Sequence, residues 1–211
     1  MKVLELFAGT RSIGKAFEER GHKVFSVEWD RSHENIDLYI DILELTPEMV
    51  IKKFGRPDII WASPDCTSYS IAAISTHRKR NDETGNLDAV SDYAKFSDKL
   101  NEHVHYLISE LQPKYWFIEN PRGGMRKMYF VKDKPRYTVT YCQYGDTRMK
   151  PTDLWTNHPE PNFKPMCKNG APCHVAAPRG SRTGTQGIKG TKDRSRIPEE
   201  LCRHIAKISE E

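Results

Sequence analysis

One cysteine stands where a thiol could act as a nucleophile. Cys66 follows the apolar run at residues 58–62 and lies in Pro64-Asp65-Cys66, within a turn rich in proline and serine. A strand that ends in such a turn displays its side chains at the carboxyl edge of a sheet, where open α/β folds bind their ligands. Free cysteines are often packing residues, so the position alone leaves a structural interpretation open.

Three predicted strands end in residue types that could work together. Residues 3–14 read as a strand, a tight turn at Gly9 and the start of a helix, and glycine lets the backbone approach a ligand closely. Residues 22–30 form a second strand, whose terminal Glu28 could accept hydrogen bonds from ribose hydroxyls. A later strand ends in Glu119. The order along the chain is therefore a cofactor turn, a thiol and a carboxyl.

This order resembles the DNA cytosine-5 methyltransferases. Their motifs Phe-x-Gly-x-Gly, Pro-Pro-Cys and Glu-Asn-Val correspond here to Phe7-Ala8-Gly9-Thr10-Arg11, Pro64-Asp65-Cys66 and Glu119-Asn120-Pro121. Tyr39-Ile40-Asp41-Ile42 looks like the family's adenine-contacting Asp-Ile, and residues 144–150 are similar to its Tyr-Gly…Gln-x-Arg-x-Arg block. Arg11 replaces the second glycine, and the arginine spacing of the last block is not reproduced. The resemblance covers most of residues 1–157.

The resemblance implies transfer of a methyl group from S-adenosylmethionine to C5 of a cytosine flipped out of double-stranded DNA. It implies Cys66 as the covalent nucleophile and Glu119 as the acid at N3 of the base. Arg148 and Lys150 are candidate basic groups that would lower the pKa of the thiol. The cofactor-binding residues implied are Phe7, Ala8, Gly9, Thr10, Ser12, Ile13, Glu28, Trp29, Asp41, Ile42 and Pro64.

Basic runs follow the predicted strand ends at residues 77–80 and 122–127, and another lies at residues 179–182. Such groups could bind phosphates and offset the energy of base flipping. A solvated surface is the alternative interpretation of each run. The expected DNA contacts are Ser68, Ser70, Arg78, Arg80, Arg122, Arg126, Lys127, Arg179 and Arg182.

Alternating strand and helix patterns predict an α/β fold with a doubly wound, mostly parallel sheet. The resemblance implies the Rossmann-like S-adenosylmethionine-dependent methyltransferase type, with a short irregular C-terminal region. We expect a catalytic core at residues 1–157, an irregular target-recognition segment at 158–190 and a helix within 191–211 that packs back on the core. So short a recognition segment predicts a target of very few base pairs, because each specified pair needs its own positioned groups.

Local patterns refine this outline. The polar and basic composition of residues 67–84 predicts a mobile loop that could close over substrate. Residues 90–111 are predicted to form an amphipathic helix, with Tyr93, Phe96, Leu100, Val104 and Leu107 at helical spacing. In the terminal helix, Ile197, Leu201 and Ile205 fall on one face.

Composition bounds the remaining possibilities. A chain of 211 residues allows one sizeable core. With 33 basic and 29 acidic residues the net charge is only +4, so nucleic acid must be bound by local patches. No apolar run approaches the ~20 residues of a membrane span, and no signal peptide is expected. The five scattered cysteines indicate free thiols in a reducing, intracellular location. The resemblance implies the cytoplasm of a bacterial or phage-infected cell, and we expect a monomer.

Cys167, Cys173 and His174, with His158 nearby, could bind zinc. Their Cys-x5-Cys-His spacing is not that of a standard zinc finger. We therefore predict no metal and a loop held by packing.

Two other functions stay open at this point. The same chemistry could act on RNA, because a flipped cytosine in a tRNA loop presents the same atoms. A non-catalytic nucleic-acid-binding relative is less well supported, since a binding protein has no chemical reason to combine Cys66 with Glu119.

Overall fold

The computed structural model describes residues 1–176 and 190–211. Within them, nine strands are formed: β1 Lys2–Leu6, β2 Lys23–Glu28, β3 Leu38–Tyr39, β4 Ile59–Ala62, β5 Arg78–Arg80, β6 Leu87–Ala89, β7 Tyr115–Pro121, β8 Arg136–Thr140 and β9 Pro151–Thr156. Seven of these make one sheet in the spatial order β3-β2-β1-β4-β7-β9-β8, and β5 pairs with β6 in a separate hairpin.

The helices are α1 Ser12–Glu19, α2 Pro47–Lys53, α3 Ile74–His77, α4 Asp92–Leu111, α5 Thr191–Ser195 and α6 Glu199–Ile208. Short 3₁₀ turns lie at Ile42–Glu44, Thr67–Tyr69, Gly124–Lys127 and Tyr141–Tyr144. Side-chain caps fix two of the helix starts: the Ser91 side chain accepts from Ala94 N before α4, and that of Thr46 accepts from Met49 N before α2. No helix within the described ranges is long and apolar enough to cross a membrane.

Strands β1, β2, β3, β4 and β7 run parallel, and only β9 runs antiparallel to its two neighbours. The predicted α/β fold with a doubly wound, mostly parallel sheet is therefore confirmed. The strand order reverses between β1 and β4, which is where such sheets open a crevice for ligands.

The register of the parallel strands places the predicted chemistry on one edge. Leu6 of β1 lies beside Val27 of β2 and Ala62 of β4, and Ala62 lies beside Ile118 of β7. The residues that follow these positions therefore lie side by side near the carboxyl edge of the parallel strands. They are Phe7, Glu28, Ser63 and Glu119.

Two apolar layers cover the sheet, one on each face. One contains Leu100, Val104 and Leu107 of α4, and the other contains α1 and α6. In the terminal segment, Ile197, Leu201 and Ile205 are buried as predicted, and Ile197 N donates to Ser12 Oγ at 3.4 Å. The terminal helix thus closes the fold against the first helix. Tyr93 and Phe96, predicted on the buried face of α4, are 44% and 43% exposed.

The prediction of a plain mobile loop at residues 67–84 is wrong for most of its length. That segment contains a 3₁₀ turn, α3 and β5, and β5 pairs with β6. Arg78 of β5 is buried, and its guanidinium donates to both carboxylate oxygens of Asp98 in α4 at 2.7 and 3.1 Å. A polar composition therefore reflects an internal ion pair here, and that ion pair anchors the segment to α4.

Candidate active site

The loop that carries Cys66 is built by the residue before it. Asp65 Oδ2 accepts from Thr67 N at 2.9 Å, and Oδ1 accepts from the Thr67 hydroxyl at 3.0 Å. The Tyr93 hydroxyl also donates to Asp65 Oδ2, at 2.7 Å. Asp65 therefore fixes the turn through hydrogen bonds at the position where the Pro-Pro-Cys motif has a proline.

A second contact joins the cysteine loop to the neighbouring strand. Asn120 in β7 is fully buried, and its Nδ2 donates to the carbonyl of Pro64 at 3.0 Å. This bond links the tips of β4 and β7, so that Cys66 and Glu119 are held on adjacent supports.

Burial has the largest effect on the pKa of the Cys66 thiol. It raises the pKa of the thiol to about 11, and the carboxyls of Asp65 and Glu119 add to the increase, whereas Lys150 lowers it. Lys150 thus acts in the expected direction, but one lysine does not outweigh burial and two acidic groups, so the pKa of the thiol is raised overall. The resting thiol is protonated.

Glu119 sits at the tip of β7 and is only 7% exposed. Burial raises the pKa of its carboxyl above the ordinary value, while Lys150 and hydrogen bonds from Tyr141 and Ser63 oppose the shift. The Tyr141 hydroxyl donates to Glu119 Oε1 at 3.3 Å. A carboxyl in this setting can be held protonated and can act as a hydrogen-bond or proton donor.

Lys150 and Arg148 have different surroundings. Lys150 Nζ interacts electrostatically with both Glu119 and Cys66, lies 4.7 Å from the centroid of the Tyr141 ring and donates to the carbonyl of Arg194 at 3.0 Å. Burial lowers the pKa of Lys150. Lys150 is thus a basic side chain within the candidate active site, next to Cys66 and Glu119.

Arg148 is buried, and its guanidinium pairs with the carboxylate of Asp146. It also donates to three backbone carbonyls in and after α5, those of Asp193, Arg194 and Arg196. These donors hold the segment that leads into α6, and the expected catalytic role of Arg148 stays a prediction.

A cavity of about 250 Å³ opens beside the cysteine loop. Its apolar wall is formed by β2, by residues that follow β1 and β3, and by α4. Three of the lining residues carry carboxylates. Asp65 is shared by this cavity and the Cys66 turn. The lining residues are Phe7, Val27, Glu28, Trp29, Ile40, Asp41, Ile42, Asp65, Phe96 and Leu100.

The Glu28 carboxylate fixes the turn at Gly9 by accepting hydrogen bonds from backbone amides. Its Oε2 accepts from Gly9 N at 3.0 Å, and its Oε1 accepts from Trp29 N and Asp30 N at 2.9 and 3.1 Å. A carboxylate offers about four acceptor sites, so Oε2 keeps capacity for one more donor. The backbone at Gly9 has φ +49°, which favours glycine.

Arg11, which replaces the second motif glycine, keeps a glycine-like backbone. Its φ is 58°, in the left-handed region that a non-glycine residue adopts at a cost. The side chain is buried, donates to Glu18 Oε1 at 2.6 Å and lies 3.7 Å from Glu5 Oε2. These contacts explain how the turn accommodates the departure from the motif.

Comparison with known proteins agrees with this geometry. Residues 1–130 match the family model of the C-5 cytosine-specific DNA methylase. A protein of Frog virus 3 (isolate Goorha), named "Probable DNA (cytosine-5)-methyltransferase", is 32% identical over 215 residues, covering 93% of each chain. The chain belongs to this family.

Solved structures share the fold of this methyltransferase. A prophage-encoded protein of E. coli matches with a TM-score of 0.55 and 20% identity over 74% of this chain and 46% of that chain. Entamoeba histolytica methyltransferase EhMeth matches with a TM-score of 0.52 and 12% identity over 74% and 52%. The chain thus spans about half the length of these structures.

Several residues expected to bind cofactor do not line the cavity of the methyltransferase. The Ile13 side chain is buried in the layer beneath α6, and its expected contact with the cofactor stays a prediction. Ser12 contacts Thr10 Oγ1 at 2.9 Å, and Ala8 N donates to Val27 O. Ala8, Gly9, Thr10, Ser12 and Pro64 shape the turns beside the cavity and are not among its lining residues.

The lining residues that the sequence did not indicate fall into two groups. Val27, Ile40 and Asp65 are direct neighbours of assigned positions and could have been found from them. Phe96 and Leu100 come from α4, about 30 residues after Cys66, and only the packing of that helix brings them to the cavity.

Three residues expected to contact DNA make internal contacts instead in this structure. Arg78 is buried against Asp98, and Ser68 is fully buried, with its Oγ accepting from Arg78 at 2.9 Å. Arg126 pairs with the buried Asp153 and donates to Thr138 Oγ1 at 2.8 Å, so its charge is already compensated.

Other basic positions stay available to phosphates. Arg80, Arg122 and Lys127 are exposed, and Ser70 is half-buried. Arg179 and Arg182 lie outside the described residues.

Proposed function

We propose that this chain transfers a methyl group from S-adenosylmethionine to C5 of cytosine in double-stranded DNA, through a covalent Cys66 adduct on a flipped base. The observation that carries the proposal is the placement of Cys66 and Glu119 on adjacent strand tips, within electrostatic reach of each other and of Lys150. Asp65 connects this pair to the cavity.

The cavity suits the cofactor by its chemistry. Val27, Ile40 and Ile42 offer an apolar wall for an adenine ring, and the free acceptor capacity of Glu28 suits a ribose hydroxyl. The acidic groups of Asp41 and Asp65 suit a positively charged ligand. Bound here, S-adenosylmethionine would supply an electrophilic methyl group.

Cys66 and Glu119 divide the activation of the base between them. The Cys66 sulfur, as thiolate, forms a bond to C6, and the electron pair of the C5–C6 double bond is displaced towards N3. Glu119 delivers its proton to N3, which neutralises the developing charge. C5 of the resulting enamine is nucleophilic and takes up the methyl group. Loss of the C5 proton to solvent then re-forms the double bond and expels the Cys66 thiolate, and N3 returns its proton to the Glu119 carboxylate.

Thiolate formation has to overcome the raised pKa of Cys66. Lys150 is the cation that lowers this pKa, so it favours the reactive form. A base within a duplex cannot reach either group, and its extrusion costs a few kcal/mol. Phosphate contacts from exposed groups such as Arg80, Arg122 and Lys127 would offset that cost.

The test is to trap the adduct. Wild-type protein, incubated with S-adenosylmethionine and a DNA duplex that contains 5-fluorocytosine, should form a complex that survives denaturation, because the fluorine blocks the final elimination. Cys66→Ser should form none and should lose turnover, yet still bind S-adenosylhomocysteine in calorimetry. Wild-type activity of Cys66→Ser would contradict the assignment.

Two outcomes would favour the alternatives. Methylation of a tRNA but not of a duplex would place the same chemistry on RNA. Cofactor binding without an adduct on either substrate would indicate a non-catalytic nucleic-acid-binding protein.

The expected cytoplasmic location in a bacterial or phage-infected cell and the expected monomer stay predictions. The Frog virus 3 relative shows that the family includes a virus-encoded protein. Cell fractionation and light scattering would test the two expectations.

A further inference from the structure

Three thiols and one imidazole converge away from Cys66. The ligand atoms of Cys142, Cys167, Cys173 and His174 all lie within 4.8 Å of one another. Cys142 Sγ is 3.2 Å from Cys167 Sγ and 3.5 Å from Cys173 Sγ. His174 Nδ1 is 3.7 Å from Cys167 Sγ and 3.6 Å from Cys173 Sγ.

These separations fit a tetrahedral zinc ion. With Zn–S bonds of about 2.3 Å and a Zn–N bond of about 2.0–2.1 Å, tetrahedral angles place two sulfurs about 3.8 Å apart and a sulfur and a nitrogen about 3.6 Å apart. The observed sulfur–nitrogen distances of 3.7 and 3.6 Å agree with the expected value, and the observed sulfur–sulfur distances of 3.2 and 3.5 Å are shorter than the expected one by about 0.6 and 0.3 Å. Three cysteines and one histidine form one of the common ligand sets of structural zinc.

We propose that Cys142, Cys167, Cys173 and His174 bind a structural zinc ion. Four protein ligands leave no open position for substrate, which is the property of a structural site. The proposal replaces the expectation of no metal, and it does not depend on the proposed methyl transfer.

The ligand absent from the sequence motif is Cys142, which precedes Cys167 by 25 residues. It lies in the 3₁₀ turn that follows β8. His158, the other residue considered from the sequence, does not take part. It is buried, and its Nε2 contacts the carbonyl of Ile208 at 3.0 Å.

The ion would fasten an irregular segment to the catalytic core. Residues 158–176 contain neither helix nor strand. Cys167 N donates to Thr140 Oγ1 at 3.0 Å, and Val175 N donates to Thr147 O at 2.9 Å, so both sides of the cluster are already docked. The turn that holds Cys142 also holds Tyr141, the hydrogen-bond partner of Glu119. Zinc would thus fix the start of the expected target-recognition segment beside the catalytic acid.

A disulfide is the competing chemistry. An S–S bond measures about 2.03–2.05 Å, well below the 3.2 Å between the Cys142 and Cys167 sulfurs. A disulfide would also give no role to the third thiol and the imidazole. A zinc site and a disulfide predict different metal contents and different numbers of reduced thiols.

The experiment uses the untagged full chain, purified under reducing conditions with zinc in the medium and without chelators. Mass spectrometry of the metal should give about one zinc per chain, and X-ray absorption should show about three sulfurs and one nitrogen at the distances above. Cys142→Ser and His174→Ala should each weaken zinc binding at least about tenfold, as seen by competition with a chromogenic chelator. Cys202→Ser should retain zinc, because Cys202 is a buried cysteine in α6 outside the cluster.

Zinc-free wild-type protein, a Cys142–Cys167 disulfide in non-reducing peptide mapping, or undiminished zinc in Cys142→Ser would overturn the proposal. If Cys142→Ser does not fold, zinc binding by His174→Ala and the X-ray absorption spectrum of the wild type test the proposal. Zinc measured in Cys66→Ser separates the two proposals, since that variant should be inactive and still carry the ion.

Discussion

The reactivity of the Cys66 thiol depends on burial, which raises its pKa, and on Lys150, which lowers it. We expect the rate of its alkylation by iodoacetamide, followed by peptide mass spectrometry, to rise with pH towards a pKa of about 11. Lys150→Met should raise that pKa further and slow alkylation at any fixed pH, because Lys150 lowers it.

The exposed Lys164 provides the matched control, and Lys164→Met should leave the alkylation profile unchanged. A wild-type pKa close to that of a free cysteine, about 8.5, would show that the thiol is not desolvated as the structure indicates.

Glu119 should act as the acid of the reaction. Because burial raises its pKa, the protonated form persists above the usual range of a carboxyl and is lost as the pH rises through the raised value. Glu119→Gln keeps the size of the side chain but cannot transfer a proton, so single-turnover methylation should fall by about 10²-fold or more. Binding of S-adenosylhomocysteine should be retained, and Glu44→Gln at an exposed position should be silent. An unchanged rate would make Glu119 a structural residue.

At the scale of elements, Glu5 joins β1 to α1. Its carboxyl is buried and accepts from Gly14 N at 2.8 Å, and burial raises its pKa from 4.5 to about 7. The folded state therefore binds the proton more tightly than the unfolded state, so the contribution of Glu5 to stability is fully present below pH 4.5 and is lost as the pH rises through about 7.

Glu5→Gln removes this ionisation. We expect the variant to gain stability relative to the wild type between pH 4.5 and about 7, by about 1 to 3 kcal/mol at the upper end. Urea unfolding at several pH values measures it, with the exposed Glu48→Gln as the control. A difference that does not change with pH would refute the raised pKa.

Arg78 holds the segment after Cys66 to α4. Arg78→Ala would leave Asp98 without its cationic partner and the carbonyl of Ser68 without its Arg78 donor, so the free energy of unfolding should fall by on the order of 3 kcal/mol. Arg80, two residues on in the same strand, is exposed. Arg80→Ala should leave stability unchanged and instead weaken binding to all DNA sequences and flatten its salt dependence. The reverse pattern, with Arg78 affecting only DNA binding, would contradict the buried ion pair.

At the scale of the whole molecule, the sequence specificity for DNA is expected to be short. We predict a consensus of fewer than six base pairs, with specificity in residues 158–190, because each specified pair needs a positioned group whereas phosphates need only charge. Arg179→Ala or Arg182→Ala should change which cytosines are methylated, as measured by deep bisulfite sequencing of random DNA. A longer consensus, or one that survives replacement of residues 158–190, would rule this out.

The sequence by itself determined the features that are local. Strand ends, a glycine turn and the contiguous motifs around Cys66 and Glu119 each occupy a few neighbouring residues. Parallel strands then bring their carboxyl ends to one edge. The burial of Ile197, Leu201 and Ile205 followed from helical spacing in the same way.

Tertiary structure decided everything that depends on a distant partner. Arg78 is an internal residue only because Asp98 of α4 faces it, and Cys142 joins Cys167 only because the irregular segment folds back on β8. The pKa of Cys66 likewise depends on Glu119 and Lys150, which are more than 50 residues away along the chain. Burial and charge pairing act through space, so no local pattern of residues reports them.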